Sequence, residues 1–166
     1  SPVDITGFSR GGTTSIDFIN NINNESYFDH GIMPRSALLF DPVGSYGMAG
    51  NNFDYGRDYR MPENVIAIQI NAKDEKRIMF DLQDLKTSDG KLKGDNWHVT
   101  ELPGVHSTIG GGYKKGEQGK SQDMAFYSMQ LMTDKAKEYG IEFADIPDNQ
   151  TPGDVFNSLI TKYHDL

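Results

Sequence analysis

Val3-Asp4-Ile5-Thr6-Gly7-Phe8-Ser9-Arg10-Gly11 is the stretch on which the reading of this chain turns. Val3–Thr6 reads as a short apolar strand, and Thr13–Ile22 as a helix with Ile16, Ile19 and Phe18 facing inward. Between them lies Gly-x-Ser-x-Gly. A serine at a sharp strand-to-helix turn, with a glycine on each side so that the backbones can pass closely, presents its hydroxyl as a nucleophile. An elbow of this kind normally follows several upstream strands, and here only one precedes it. The expectation is therefore that the elbow strand needs neighbours that this sequence does not supply.

The rest of the chain continues the alternation of strands with helices or long crossovers. Asn20–Asn24 is a polar stop. Ala37–Phe40 is a buried strand ending in Asp41, and Pro42–Tyr59 is a loop. Val65–Ile70 is continuous and β-branched, as parallel strands covered on both faces are. Thr87–Asn96 is a turn, Trp97–Leu102 a strand, and Pro103–Gly119 a glycine-rich loop. A long helix runs from an N-cap at Ser121 to Tyr139, ended by Gly140, with Ala125, Met129, Met132 and Ala136 as its core stripe. Thr151-Pro152-Gly153-Asp154 opens a last helix to about Tyr163. No repeat and no linker divides residues 1–166. The fold class is α/β, with a mostly parallel sheet flanked by helices.

Bulk properties narrow the function. The 166 residues carry a net charge of −8, and the pI is near 4.9. That opposes a nucleic-acid partner and simple electrostatic docking on anionic lipid. The absence of cysteine excludes disulfides and thiolate metal sites, and no apolar run reaches the length of a membrane span. The mean hydropathy of −0.59 is that of a soluble chain with large surface loops. Gly110–Gly112 lacks the Lys-Ser/Thr that a phosphate-binding loop requires.

A serine nucleophile needs a base, and the base needs an acid to fix its tautomer. Asp41 directly follows the Ala37–Phe40 strand, and His106 lies in the loop after Trp97–Leu102. The order Ser9, Asp41, His106 is that of an elbow enzyme, and each residue sits where a strand gives way to a loop. Asp54, Asp58, Asp74 and Asp81 are rival acids with no clear strand-end position. His30 and His164 read as surface residues, and His98 as a strand residue. The backbone N–H of Arg10 is the expected oxyanion donor, with a second donor coming from upstream chain. Ile32-Met33, Met48 and Phe53 are apolar loop residues that would suit a lipid-facing mouth.

Three segments together resemble one family: Gly7-Phe8-Ser9-Arg10-Gly11, Phe40-Asp41-Pro42-Val43-Gly44, and Pro103 to Tyr113. They are similar to the signatures of the DUF2235 α/β-hydrolases, which include phospholipase effectors of bacterial type VI secretion systems. Asp74-Glu75-Lys76-Arg77 with Phe80, and the helix through Gln130-Leu131-Met132, Ala136 and Gly140-Ile141, fit two further segments. The chain departs from the pattern at Pro42 (usually Thr), Gly12 (often Ala) and Thr108 (commonly Asp).

The resemblance implies the C-terminal part of an α/β-hydrolase catalytic domain, completed by an N-terminal segment or chain. It implies a phospholipase A-type serine esterase with Ser9, Asp41 and His106 as triad. No cofactor is implied, and any calcium requirement is left open. The substrate would be a membrane phospholipid; the partners an immunity protein and secretion-tube or spike proteins. The setting would be synthesis in a bacterial cytoplasm and delivery to the periplasm or membrane surface of a target cell. The alternatives are a catalytically silent interaction module and a small-ester hydrolase.

Overall fold

A computed structural model describes residues 1–24, 31–42, 61–74, 96–111 and 123–144. The four apolar segments form strands β1 (Pro2–Phe8), β2 (Met33–Phe40), β3 (Ile66–Ala72) and β4 (Trp97–Leu102). They make one sheet in the order β1-β2-β3-β4, with β1–β2 and β2–β3 parallel. Bonds from Ala67 N–H to Asn96 O (3.0 Å) and from Lys73 N–H to Leu102 O (2.9 Å) advance together along β3 and β4, so that pair is parallel too. The architecture is an α/β fold with a parallel sheet and flanking helices. β3 is buried along nearly its whole length, as its uninterrupted β-branched run requires.

The chain gathers into two compact units, Ser1–Asn71 with Lys76–Thr100, and Ala72–Glu75 with Glu101–Leu166. In the first, helix α1 (Arg10–Asn24) packs against β1 and β2. Its core joins Ile16 and Ile19 to Ala37, Leu39, Val65, Ala67 and Trp97. The indole N–H of Trp97 donates to Val65 O at 2.9 Å, so its one polar group is satisfied inside the core. β1 and β2 slip by one residue between Val3 and Asp4, leaving Arg35 as the extra residue of a bulge. The Asp4 carboxylate takes up the slack. It accepts hydrogen bonds from Arg35 Nε (2.8 Å), Arg35 Nη2 and the Ser36 hydroxyl (2.7 Å).

α1 begins three residues earlier than its apolar pattern suggests and continues through the asparagines to Asn24. The helical period explains both this and the misplacement of Phe18. Ser15, Ile19 and Ile22 recur on the buried face, whereas Phe18 lies with Thr14 and Asn21 on the opposite one and is 49% exposed.

In the second unit, a one-turn helix α2 (His106–Ile109) precedes α3 (Asp123–Glu138). The expected continuous loop from Pro103 to Gly119 is thus interrupted by α2. Ala125, Met132 and Ala136 are buried, while Met129 is only half-buried. Ser128 shares the centre of the stripe: its hydroxyl lies 2.8 Å from Ile109 O and 2.9 Å from Ala125 O. Gly140 ends α3 at φ +78. Gly140 N–H donates to Lys137 O (2.9 Å) and Ile141 N–H to Ala136 O (3.3 Å), which is a Schellman stop. Most of the Pro42–Tyr59 loop, nearly all of the Thr87–Asn96 turn, the Ser121 cap and the Thr151–Tyr163 helix lie outside the described residues.

Candidate active site

Ser9 stands between β1 and α1 with φ 59, a left-handed backbone that L residues rarely adopt. Three contacts hold it there. Ser9 N–H donates to Phe40 O (3.0 Å), tying the turn to the end of β2, and Ser9 O accepts from Gly12 N–H (3.0 Å) and Thr13 N–H (3.4 Å). The strand-to-helix elbow read from the sequence is therefore present in its backbone. Arg10 is the first residue of α1. Its N–H has no carbonyl partner within the helix by construction and points to the side where a developing anion is favoured.

The glycines divide the work differently from what the pentapeptide suggests. A Cβ on Gly7 would lie 2.6 Å from both Gly11 O and Gly12 N. A Cβ on Gly12, which lies outside the pentapeptide, would lie 2.8 Å from the Cβ of Pro42. One on Gly11 would meet nothing within 4 Å among the described residues. Gly7 and Gly12 are thus the positions that permit close approach. Gly12 and Pro42, remote in sequence, thus face each other.

Asp41 follows β2 and is fully buried at 0% exposure with φ 39. Its N–H donates to Ile70 O at 2.7 Å, tying it to β3 as Ser9 is tied to β2. Ser9 and Asp41 therefore come off adjacent parallel strands at their carboxyl ends, within the first unit. His106 belongs to the second unit. It is the first residue of α2, four residues beyond β4, and is 6% exposed. His98 on β4 is half-buried, whereas His30 and His164 lie outside the described residues, as do Asp54, Asp58 and Asp81.

Asp74 sits just past the end of β3, closer to a strand end than the sequence shows. Its carboxylate is engaged with Gly104 N–H at 2.7 Å. Ile32 and Met33 do not line a mouth beside Ser9. Met33 opens β2 and pairs with Pro2, whereas Ser9 follows Phe8. At about 3.3 Å per residue the two ends of β1 are ~20 Å apart, so Met33, 62% exposed, lies at the opposite, N-terminal end of the strands. Met48 and Phe53 are outside the described residues. Gly110 is right-handed and Gly111 left-handed at φ 70; Gly112 is not described.

Sequence reasoning also missed Gln69 and Asn71, alternate residues of β3 that are each 1% exposed. Gln69 Nε2 donates to Asn71 Oδ1 at 2.9 Å, while Gln69 Oε1 and Asn71 Nδ2 have no hydrogen-bond partner among the described residues. Their only sequence signal is two amides in or just after an otherwise apolar run. Among the described residues no group of three or more His, Asp or Glu side chains is arranged to hold a metal. No described helix is long and apolar enough to cross a membrane.

No protein-family model and no curated protein matches the chain. A crystal structure of an uncharacterized protein from Pseudomonas aeruginosa covers 99% of it at 24% identity, with a TM-score of 0.69. The chain spans 28% of that longer chain. A likeness at this identity concerns the α/β fold alone.

Proposed function

We propose that this chain is the C-terminal part of an α/β-hydrolase domain that cleaves carboxylic esters, with phospholipid acyl esters as substrates. The observation that carries the reading is Ser9, held at positive φ between a parallel strand and a helix. In the proposed cycle His106 takes the proton of the Ser9 hydroxyl, and Oγ attacks the ester carbonyl. The Arg10 N–H stabilises the oxyanion. The tetrahedral adduct collapses, and His106 gives its proton to the departing alcohol. Water, deprotonated by His106, then attacks the acyl-enzyme; the fatty acid leaves and Ser9 is restored. Asp41 orients the imidazole and stabilises its charge.

Support for a larger catalytic body comes from β1. Among the described residues it stands at the end of the strand order, and its first residues are exposed. A bare edge invites strand pairing, and polypeptide preceding this sequence is proposed to cover it and to bring the second oxyanion donor. The toxin-effector role, with an immunity protein and secretion components as partners, rests on the family resemblance.

A fluorophosphonate probe on the purified protein tests the reading. Labelling at Ser9 is expected, absent in Ser9→Ala and sharply weakened in His106→Ala. Ester turnover should fall at least about a thousandfold in Ser9→Ala. An unlabelled wild-type protein completed by its N-terminal polypeptide would sink the enzyme and favour a hydrolase-like interaction module. Release of fatty acid from phospholipid vesicles, set against short p-nitrophenyl esters, separates a phospholipase from a small-ester hydrolase.

A further inference from the structure

We infer that Asp74 is a positioning residue for His106, an inference that rests on reading His106 as the base for Ser9. Both polar groups of Gly104 are bound by this one residue. Asp74 N–H donates to Gly104 O at 3.1 Å, and Gly104 N–H donates to the Asp74 carboxylate at 2.7 Å. Lys73 N–H donates to Leu102 O at 2.9 Å, so the segment entering α2 is stitched to the end of β3 over two consecutive residues.

Gly104 needs this support. Its φ is +120, a conformation with no secondary structure of its own to maintain it. The next residue, Val105, is extended and serves as the N-cap of α2, but it provides no side-chain cap bond. α2 is a single turn, closed by Thr108 N–H and Ile109 N–H donating to Val105 O and by Gly110 N–H donating to His106 O. A helix this short does not fix its own direction. The direction in which His106 starts is inherited from Gly104 and Val105, and Asp74 is the side chain that clamps Gly104. A carboxylate accepting a backbone N–H makes a charge-assisted bond, roughly twice as strong as a neutral one. The acid is exposed and takes no part in proton transfer; its effect reaches the reaction only through the placement of the imidazole.

The test compares Asp74→Ala with Asp74→Asn, measuring hydrolysis of a p-nitrophenyl ester per Ser9 titrated with fluorophosphonate. Misplacing a reacting group by about 1 Å costs on the order of a hundredfold, and partial loosening of one turn should cost about tenfold of kcat. D74A is expected to show that loss with KM and thermal midpoint near those of wild type. D74N, whose amide oxygen still accepts the Gly104 N–H, should recover most of it. Unchanged kcat per titrated site in D74A overturns the inference, as does a D74A protein that fails to fold, because the bond then serves the fold alone. Equal loss in D74A and D74N also overturns it, since charge rather than the Gly104 bond would be responsible. Absence of label in the wild type instead defeats the hydrolase reading itself, and Asp74's role with it.

Discussion

Two strand-to-helix turns hold the proposed nucleophile and the proposed base, and they are built on different principles. The turn from β1 to α1 is locked by backbone lying against backbone: there is no space at Gly7 for even a methyl group. The turn from β4 to α2 is roomier. A Cβ on Gly104 would sit 3.6 Å or more from its neighbours, at ordinary contact distance from Thr108 and Ile109. That turn is held by one hydrogen bond to the carboxylate of Asp74, just past the end of β3, and one to its backbone N–H. The first therefore tolerates almost no variation where the backbones meet. The second resists change mainly through its torsion angle and can be adjusted by exchanging one acid.

The largest expected effect is at the locked turn. Gly7→Ala places a methyl 2.6 Å from two backbone atoms, and over-packing of that kind costs about 3 kcal/mol. Denaturant unfolding measures it, and a loss near zero would break the comparison. Gly104→Ala should cost less, ~1–2 kcal/mol, because only the positive φ is strained and the methyl has room. A thermal scan showing a larger loss than Gly7→Ala would reverse the assignment. Gly11→Ala has the opposite sign. It is a helical glycine with open space around it, so the change should stabilise by about 0.5–1 kcal/mol and leave Ser9 labelling intact.

The smallest effect lies at the other end of β1. The Arg35 guanidinium, with Ser36, holds the Asp4 carboxyl below its usual value against a smaller opposing effect of burial. Its contribution is thus fully present above the unfolded carboxyl's pKa, near 3.8, and is lost as pH falls through the lower folded value. As the pair is partly exposed, it is worth no more than about 1 kcal/mol. Comparing the acid limb of stability in wild type and Asp4→Asn checks this: the variant should be flatter and nearly unchanged at Gly7's end of the strand.

The same contrast explains what could be read in advance. The parallel α/β core was legible because Val65–Ile70, Ala37–Phe40 and Trp97–Leu102 are apolar runs of strand length, and α3 because its period and Gly140 agree. Ser9 was legible because its two flanking glycines advertise the turn. The role of Gly12 was not, since its neighbour Pro42 is remote in sequence, and close approach between remote backbones leaves no local pattern. α2 escaped because four residues are too few to show a period. Phe18 was misread because apolarity alone does not say on which side of a helix a residue falls. The Asp74–Gly104 bond joins residues 30 positions apart and has no sequence signature at all.

Ser9 and Asp41 share one further property. Each leaves its own strand in a left-handed conformation, and each is anchored by its N–H to the strand next door: Ser9 to Phe40, the last residue of β2, and Asp41 to Ile70, two residues before the end of β3. Neither anchor belongs to the loop that follows. Segments inserted after Asp41 can therefore lengthen, shorten or change composition while the anchors stay in place. Such a scaffold separates two kinds of change: the spacing of Ser9 and Asp41 is set by the strand register, and the loops beyond them can vary without altering it.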